Sequence, residues 1–93
     1  MPDTNRIAIV TGGLSGIGRA VAVRLARDGA TVHVGARRGA AADLTAPLTA
    51  EFGDRIGFGR LDVRDSESCA AFVDGVLARH GRVDILVNAA GVY

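Results

Sequence analysis

The sequence predicts an α/β fold, in which a parallel sheet is covered by helices on both faces. Short apolar runs alternate with segments of helical periodicity, in the order strand, helix, strand, helix, strand, helix, strand. The first apolar run is continuous, which is typical of a parallel strand buried on both faces. Strands that alternate with helices in this way are joined by right-handed crossovers. We therefore expect a doubly wound parallel sheet.

A glycine turn separates the first strand from the first helix. The strand is expected at residues 6–10, and apolar residues recur at spacings of three and four from Ile17 until Gly29 ends the helix. The glycines of the turn are Gly12, Gly16 and Gly18, in the pattern G-x-x-x-G-x-G. Such a turn presents backbone N–H groups and the positive end of a helix dipole, with no Cβ in the way. We predict that it binds a phosphate or pyrophosphate.

Further strands are expected at residues 31–36, 56–61 and 83–87. The second helix is predicted to begin near Asp43 or Thr45, because Pro47 is best tolerated in a first turn, and to end before Gly53. The third helix is expected to be capped at Asp65 or Ser66 and to end at Gly81. Its apolar side is predicted to consist of Cys69, Phe72, Val73, Val76 and Leu77.

Composition excludes several classes of function. The chain has 93 residues, 48% of them hydrophobic, and a net charge of +1 with scattered basic residues, so neither nucleic acid nor a membrane is expected as a partner. All eleven basic residues are Arg, which excludes a Walker phosphate loop and a catalytic lysine within these residues. No signal peptide or membrane span is predicted, and we expect a cytoplasmic protein.

The single cysteine and the two histidines are expected to be structural. Cys69 cannot form an internal disulfide and is predicted to be a buried, inert thiol. His33 is interpreted as a core or edge histidine, and His80 as a partner of the third helix's C-terminus. Because the histidines lie far apart in sequence, no metal site is predicted.

Four segments are expected to meet at one edge of the sheet, because the carboxyl ends of parallel strands lie together. They are residues 11–18, 36–38, 62–63 and 88–91. In a doubly wound sheet, ligands bind at this edge, where the strand order reverses. We therefore predict a dinucleotide site there, with the pyrophosphate on the glycine turn.

The same segments resemble the short-chain dehydrogenase/reductase family. The motifs are Thr-Gly-x-x-x-Gly-Ile-Gly at residues 11–18, Asp62-Val63, and Ile-Leu-Val-Asn-x-Ala-Gly at residues 85–91. The resemblance runs from about residue 6 to residue 91 and implies a Rossmann-like fold, of which this chain supplies strands one to four, an incomplete domain. Ala89 departs from the family's usual Asn-Asn-Ala-Gly and removes one supporting amide side chain.

The resemblance also implies a role for each cofactor-binding residue. The pyrophosphate and the adjoining ribose would be held by Gly12, Ser15, Gly16, Ile17 and Gly18. Asp62 would accept a hydrogen bond from the adenine amino group, and the backbone of Val63 would meet the adenine ring. Asn88 would brace the fourth strand against the glycine turn, while Ala90 and Gly91 would let the adenosine ribose lie close to the backbone.

The residues after the second strand favour NADP(H) over NAD. A site for NAD offers a carboxylate to the ribose 2'-hydroxyl about 20 residues beyond the glycines, and this carboxylate would repel a 2'-phosphate. Here that place holds Ala36, Arg37 and Arg38 and no acid. Guanidinium groups suit phosphate, so we predict NADP(H), with Arg37 the main contact and Arg38 a secondary one. The simpler interpretation is that both arginines belong to a solvated loop.

The resemblance implies catalytic residues that residues 1–93 do not contain. Family members carry a Ser and a Tyr-x-x-x-Lys beyond the last motif, and Tyr93 lacks this spacing. We expect the chain to be the amino-terminal, cofactor-binding part of a single Rossmann-fold domain, inactive alone. The parent is expected to be a homo-oligomeric NADPH-dependent reductase of a small carbonyl or oxoacyl substrate, or of the corresponding alcohol. The alternative is a non-catalytic nucleotide-binding module or an inert truncation.

Overall fold

A computed structural model of the chain describes residues 6–12, 16–37 and 42–89. Its strands are β1 (Ile7–Thr11), β2 (Thr31–Ala36), β3 (Ile56–Arg60) and β4 (Ile85–Asn88). Its helices are α1 (Gly16–Arg27), α2 (Ala42–Phe52) and α3 (Ser66–His80), and a 3₁₀ turn at Gly53–Arg55 precedes β3. The predicted alternation is confirmed over these residues. None of the helices in the described ranges combines the length and hydropathy that a membrane span needs.

The four described strands form one parallel sheet in the order β3-β2-β1-β4. β1 is central, and its Ile9 pairs with His33 of β2 on one side and with Leu86 of β4 on the other. The chain runs outward from β1 to β3 and then crosses back to β4, so the strand order reverses between β1 and β4. The predicted Rossmann-like, doubly wound fold is confirmed, and the carboxyl ends of these strands share one edge.

The sheet buries its two faces against different helices. The first face, against α1 and α2, has a core of small and branched residues together with one aromatic residue: Ala8, Val10, Ala22, Ala26, Ala30, Val32, Val34, Leu48, Phe52 and Ile56. The second face, against α3, has a smaller core of Ile7, Ile9 and Val76, with Phe72 and Val83 partly buried against it. β1 contributes alternate residues to both cores, as a strand covered on both faces does.

Helix α2 begins at Ala42, within one residue of the predicted start near Asp43. The prediction that Pro47 lies in the first turn is wrong, because Pro47 lies inside the helix. Proline has no N–H for the carbonyl four residues earlier, and a helix interior normally excludes it. Two residues that follow Pro47, Leu48 and Phe52, are buried against the sheet. We attribute the continued helix to this packing, which offsets the missing hydrogen bond. The predicted end before Gly53 is confirmed.

Helix α3 has the predicted ends. Asp65 is the N-cap, and its carboxylate accepts a hydrogen bond from the backbone N–H of Glu67 at 3.0 Å. Gly81 ends the helix in the left-handed conformation, with φ of 75°. Both features satisfy backbone groups that a helix terminus leaves without partners. The alternative cap, Ser66, is instead the first helical residue.

The predicted apolar side of α3 is only partly buried. Val76 is buried, whereas Val73 and Leu77 are 36% and 40% exposed. The expectation that Cys69 is buried is also wrong, because this residue is only half-buried. Its Sγ lies 3.7 Å from the carbonyl oxygen of Asp62. The periodicity of α3 identified a helix correctly, but it overestimated how much of that helix contacts the sheet.

The two histidines meet between β2 and α3. Nε2 of His33 lies 2.8 Å from Nε2 of His80, so one ring donates and the other accepts. The pKa of His33 is lowered by burial, and further by the charges of His80 and Arg79. The interpretation of His33 as a core histidine with a bonded ring nitrogen is therefore confirmed. His80 lies in the last turn of α3, as predicted, and its ring contacts His33.

Candidate functional site

The glycine turn starts where β1 ends. Gly12 has φ of 71°, and its N–H donates to the carbonyl oxygen of Gly35 at 2.7 Å, which ties the turn to β2. Gly16, the first residue of α1, has φ of 58°. L side chains rarely adopt this conformation, so glycine is needed at both positions. The chain thereby passes from β1 into α1 at the carboxyl edge of the sheet.

Gly18 is glycine for a different reason, which is space. A Cβ built at Gly18 would lie 2.3 Å from the carbonyl oxygen of Gly12 and 3.1 Å from the Cβ of Ala89. The first of these atoms belongs to the backbone and has no flexible side chain to move aside. Only glycine therefore allows the first turn of α1 to approach the end of β1 so closely.

The start of α1 provides hydrogen-bond donors at this edge. Gly16, Ile17 and Gly18 lie in the first helical turn, where backbone N–H groups have no intrahelical acceptor. The first turn carries no acidic side chain, and Ile17 is 80% exposed. The helix dipole adds a partial positive charge at the same point. This geometry suits a phosphate or pyrophosphate group.

Asn88 joins the end of β4 to the end of β1. The buried hydroxyl of Thr11 lies 3.0 Å from Oδ1 of Asn88, to which it donates, and the N–H of Ala89 donates to the carbonyl oxygen of Thr11 at 3.2 Å. Thr11 immediately precedes the glycine turn. The side chain of Asn88 thus contacts the residue from which the turn starts. Ala89 has no amide side chain, but its backbone N–H still bonds to Thr11.

Asp62 and Arg64 form a bidentate ion pair just after β3. Nε of Arg64 donates to Oδ1 of Asp62 and Nη2 to Oδ2, both at 3.1 Å, and the Arg64 N–H also donates to Oδ1 at 3.0 Å. The Arg64 side chain, then its N–H and the charge of Arg37, lower the pKa of Asp62 to about 2. The carboxyl group is therefore ionised at neutral pH.

Three arginines share a cavity with this carboxylate. Arg37, Arg60, Arg64 and Asp62 line an open cavity of about 370 Å³ at the ends of β2 and β3. We call these four residues the arginine cluster. Their formal charges sum to about +2 at neutral pH, because every guanidinium remains protonated. The cavity therefore suits a dianionic group.

The structure brings most of the predicted site residues to one edge. Gly12, Gly16, Ile17, Gly18, Arg37, Asp62, Val63 and Asn88 all lie at the ends of strands or at the start of α1. Ser15, Arg38, Ala90 and Gly91 lie outside the described residues. Sequence reasoning missed Arg60 and Arg64. Arg64 could have been found from its spacing of two residues after Asp62, whereas Arg60 joins the cluster through strand pairing that no local motif reveals.

Comparison with known proteins identifies the family. A family model for short chain dehydrogenases matches residues 6–93. A candidate ketoacyl reductase of the monensin polyketide synthase from Streptomyces virginiae is 46% identical over 91 residues, covering 96% of this chain and 34% of the relative. D-threitol dehydrogenase from Mycolicibacterium smegmatis is 44% identical over 88 residues, covering 94% of this chain and 34% of the relative.

A solved structure agrees with these sequence relatives. A metagenomic short-chain oxidoreductase in complex with NADP is 39% identical and superposes with a TM-score of 0.82, covering 96% of this chain and 40% of that one. The chain spans about a third of the length of the two sequence relatives above. The family model, the sequence relative and the solved structure all indicate the same family. The chain belongs to the short-chain dehydrogenase family.

Proposed function

We propose that the protein is an NADPH-dependent oxidoreductase of the carbonyl or oxoacyl reductase kind, and that this chain binds its cofactor. Residues 1–93 would form the amino-terminal, NADP(H)-binding part of a single Rossmann-fold domain. The activity would then belong to the protein at its natural length, and the chain alone would be inactive. The proposed cytoplasmic location and homo-oligomeric state rest on the family resemblance and on composition.

The observation that carries the choice of NADP(H) is the arginine cluster. The turn after β2 holds Arg37 and no acid, and Arg37 shares its cavity with Arg60 and Arg64. A carboxylate that accepted the ribose 2'-hydroxyl of NAD would have to lie at this turn. Guanidinium groups instead favour a 2'-phosphate, to which they donate paired hydrogen bonds. The neighbour in complex with NADP supports the same choice.

The glycine turn would hold the pyrophosphate. The N–H groups of Gly16, Ile17 and Gly18 would donate to its oxygens, and the absence of a Cβ at Gly18 keeps the turn compact. Thr11 and Asn88 would keep the end of β4 in place beside the turn. When bound, NADPH supplies a hydride for the reduction of a carbonyl group.

Asp62 would bind the adenine amino group. Its Oδ1 already accepts two hydrogen bonds from Arg64, whereas Oδ2 accepts one among the described residues. A carboxylate oxygen has two lone pairs, so Oδ2 retains capacity for another donor. Because the pKa of Asp62 is lowered to about 2, the carboxylate remains an acceptor at every pH at which the enzyme would work. Val63 would meet the adenine ring through its backbone.

Relatives support an oxidoreductase but differ in substrate. One is named as a candidate ketoacyl reductase and another as a D-threitol dehydrogenase, so the substrate class that we propose is a small carbonyl compound or the corresponding alcohol. The non-catalytic alternative predicts that the protein at its natural length carries no Ser and no Tyr-x-x-x-Lys beyond these residues. The reading frame after Tyr93 distinguishes the two.

Titration of the protein at its natural length with NADPH and with NADH tests the cofactor. We expect NADPH to bind more tightly by about tenfold or more, and Arg37→Ala to remove most of this preference, since a hydrogen bond to a charged group contributes about 1.5–3 kcal/mol. Arg24→Ala is the matched control, because Arg24 is an exposed arginine in the last turn of α1. An affinity ratio that Arg37→Ala leaves unchanged would contradict the proposal.

A further inference from the structure

We propose that Arg60 is a second specificity-determining residue for the 2'-phosphate, acting beside Arg37. This inference rests on the proposed preference for NADP(H) and adds to it a residue from a different strand. The family motifs quoted above do not include position 60, and the side chain enters the site through the pairing of β3 with β2.

Strand pairing places Arg60 beside the turn that carries Arg37. Arg60 is the last residue of β3 and pairs in register with Ala36, the last residue of β2. The N–H of Leu61 donates to the carbonyl oxygen of Ala36 at 2.9 Å, so the two strands remain paired up to the edge of the sheet. Arg60 thus lies opposite Ala36, and Arg37 is the residue that follows Ala36. Both arginines line the 370 Å³ cavity.

Arg37 and Arg60 differ from Arg64 in what they already bind. Arg64 is held by both oxygens of Asp62. Within the part of the chain that the structure describes, neither Arg37 nor Arg60 has a carboxylate partner within salt-bridge distance. Asp62 is therefore largely neutralised by Arg64, and two guanidinium groups remain for a ligand.

The charge of these two groups matches that of a phosphate monoester. Such a group carries about −1.5 to −2 at neutral pH and has three acceptor oxygens. Two guanidinium groups supply a charge of about +2 and two planar sets of N–H donors. One arginine would leave part of the phosphate charge unbalanced. The geometry points to a site in which Arg37 approaches from β2 and Arg60 from β3.

Binding of 2',5'-ADP and of 5'-AMP by the protein at its natural length measures this contribution directly, because the two ligands differ in the 2'-phosphate alone. We expect Arg60→Gln to weaken 2',5'-ADP by about tenfold, the loss of one charge-assisted contact, and 5'-AMP by less than about twofold. Arg60→Lys keeps the charge without the planar fork, so we expect an intermediate loss. Arg24→Gln, which removes an exposed arginine of α1, should change neither affinity.

The readouts separate this inference from the proposed function. If the unmodified protein binds 2',5'-ADP no better than 5'-AMP, the preference for NADP(H) fails, and the role of Arg60 fails with it. If the unmodified protein prefers 2',5'-ADP and Arg37→Ala removes the preference while Arg60→Gln does not, only the role of Arg60 is overturned. Equal weakening of both ligands by Arg60→Gln would indicate a structural role and would also overturn it. Thermal unfolding of each variant verifies the fold, and Arg60→Lys serves if Arg60→Gln does not fold.

Discussion

The glycine turn and the arginine cluster lie at the same edge of the sheet but are built in opposite ways. The turn offers backbone N–H groups and depends on side chains that are missing, as at Gly18, where a Cβ would meet the carbonyl oxygen of Gly12 at 2.3 Å. The cluster offers charged side chains around an open cavity of about 370 Å³. A pyrophosphate is common to both nicotinamide cofactors, whereas the 2'-phosphate belongs to NADP(H) alone. Substitutions in the glycine turn should therefore change the affinity for both cofactors, whereas substitutions in the arginine cluster should change the preference for NADP(H) over NAD.

The largest expected effect is that of Gly18→Ala. The added Cβ meets a backbone atom, so we expect about 3 kcal/mol of destabilisation, near the upper end for overpacking. Affinity for NADPH and for NADH should fall together, by about a hundredfold if the strain is released by displacing the turn. Thermal unfolding and titration with both cofactors measure the two effects.

Gly75→Ala is the matched control for Gly18→Ala. Gly75 lies within α3, and a Cβ there would have no atom within 4 Å. The change should stabilise the helix by about 0.5–1 kcal/mol and leave both affinities unchanged. If Gly18→Ala instead altered the affinity for NADPH alone, the turn would contribute to cofactor preference. That result would contradict the division of roles between the turn and the arginine cluster.

A smaller effect is expected of Arg37→Asp, and it should act on one cofactor only. The substitution removes a guanidinium and places a carboxylate where an NAD site carries its acid. We expect the NADPH to NADH affinity ratio to fall by about thirtyfold, with weaker NADPH binding and unchanged or tighter NADH binding. Stability should change little, because Arg37 is exposed. An equal loss for both cofactors would mean that Arg37 supports the fold of the site.

The smallest effect is expected from pH. The second pKa of a phosphate monoester is about 6, so lowering the pH from about 7.5 to about 5.5 should weaken NADPH binding by about fourfold if the dianion alone binds. NADH binding should not follow, because the arginines remain protonated and the lowered pKa of Asp62, about 2, keeps its carboxylate charged. If the affinities for NADPH and NADH fell equally, protonation of the 2'-phosphate would not be the cause.

Stability must be measured over the same range, because folding lowers the pKa of His33. Its pKa is lowered in the folded protein from the ordinary value of 6.5, so below this value the unfolded chain binds more protons. Stability should therefore fall as the pH decreases below 6.5. Asp62 behaves differently, since its lowered pKa contributes stability that is lost only as the pH falls from 3.8 towards about 2. Chemical denaturation at each pH separates unfolding from weaker binding.

How much the sequence could predict differs between the two regions. Gly12, Gly16 and Gly18 stand close together because a turn is a local structure, so their spacing predicts their shared role. Arg60 reaches Arg37 only through the register between Ala36 and Arg60, which depends on how β3 pairs with β2. Helix α2 shows the same limit, since the sequence placed Pro47 in the first turn. We attribute its position inside the helix to the packing of Leu48 and Phe52 on the sheet.

A crystal structure of the protein at its natural length with NADP⁺ bound tests the central claim most directly, because it shows both regions in one experiment. We predict that the pyrophosphate lies against the N–H groups of residues 16–18 and that the 2'-phosphate lies between Arg37 and Arg60. A complex in which the pyrophosphate lies away from the start of α1, or in which the 2'-phosphate faces solvent without an arginine contact, would contradict this assignment.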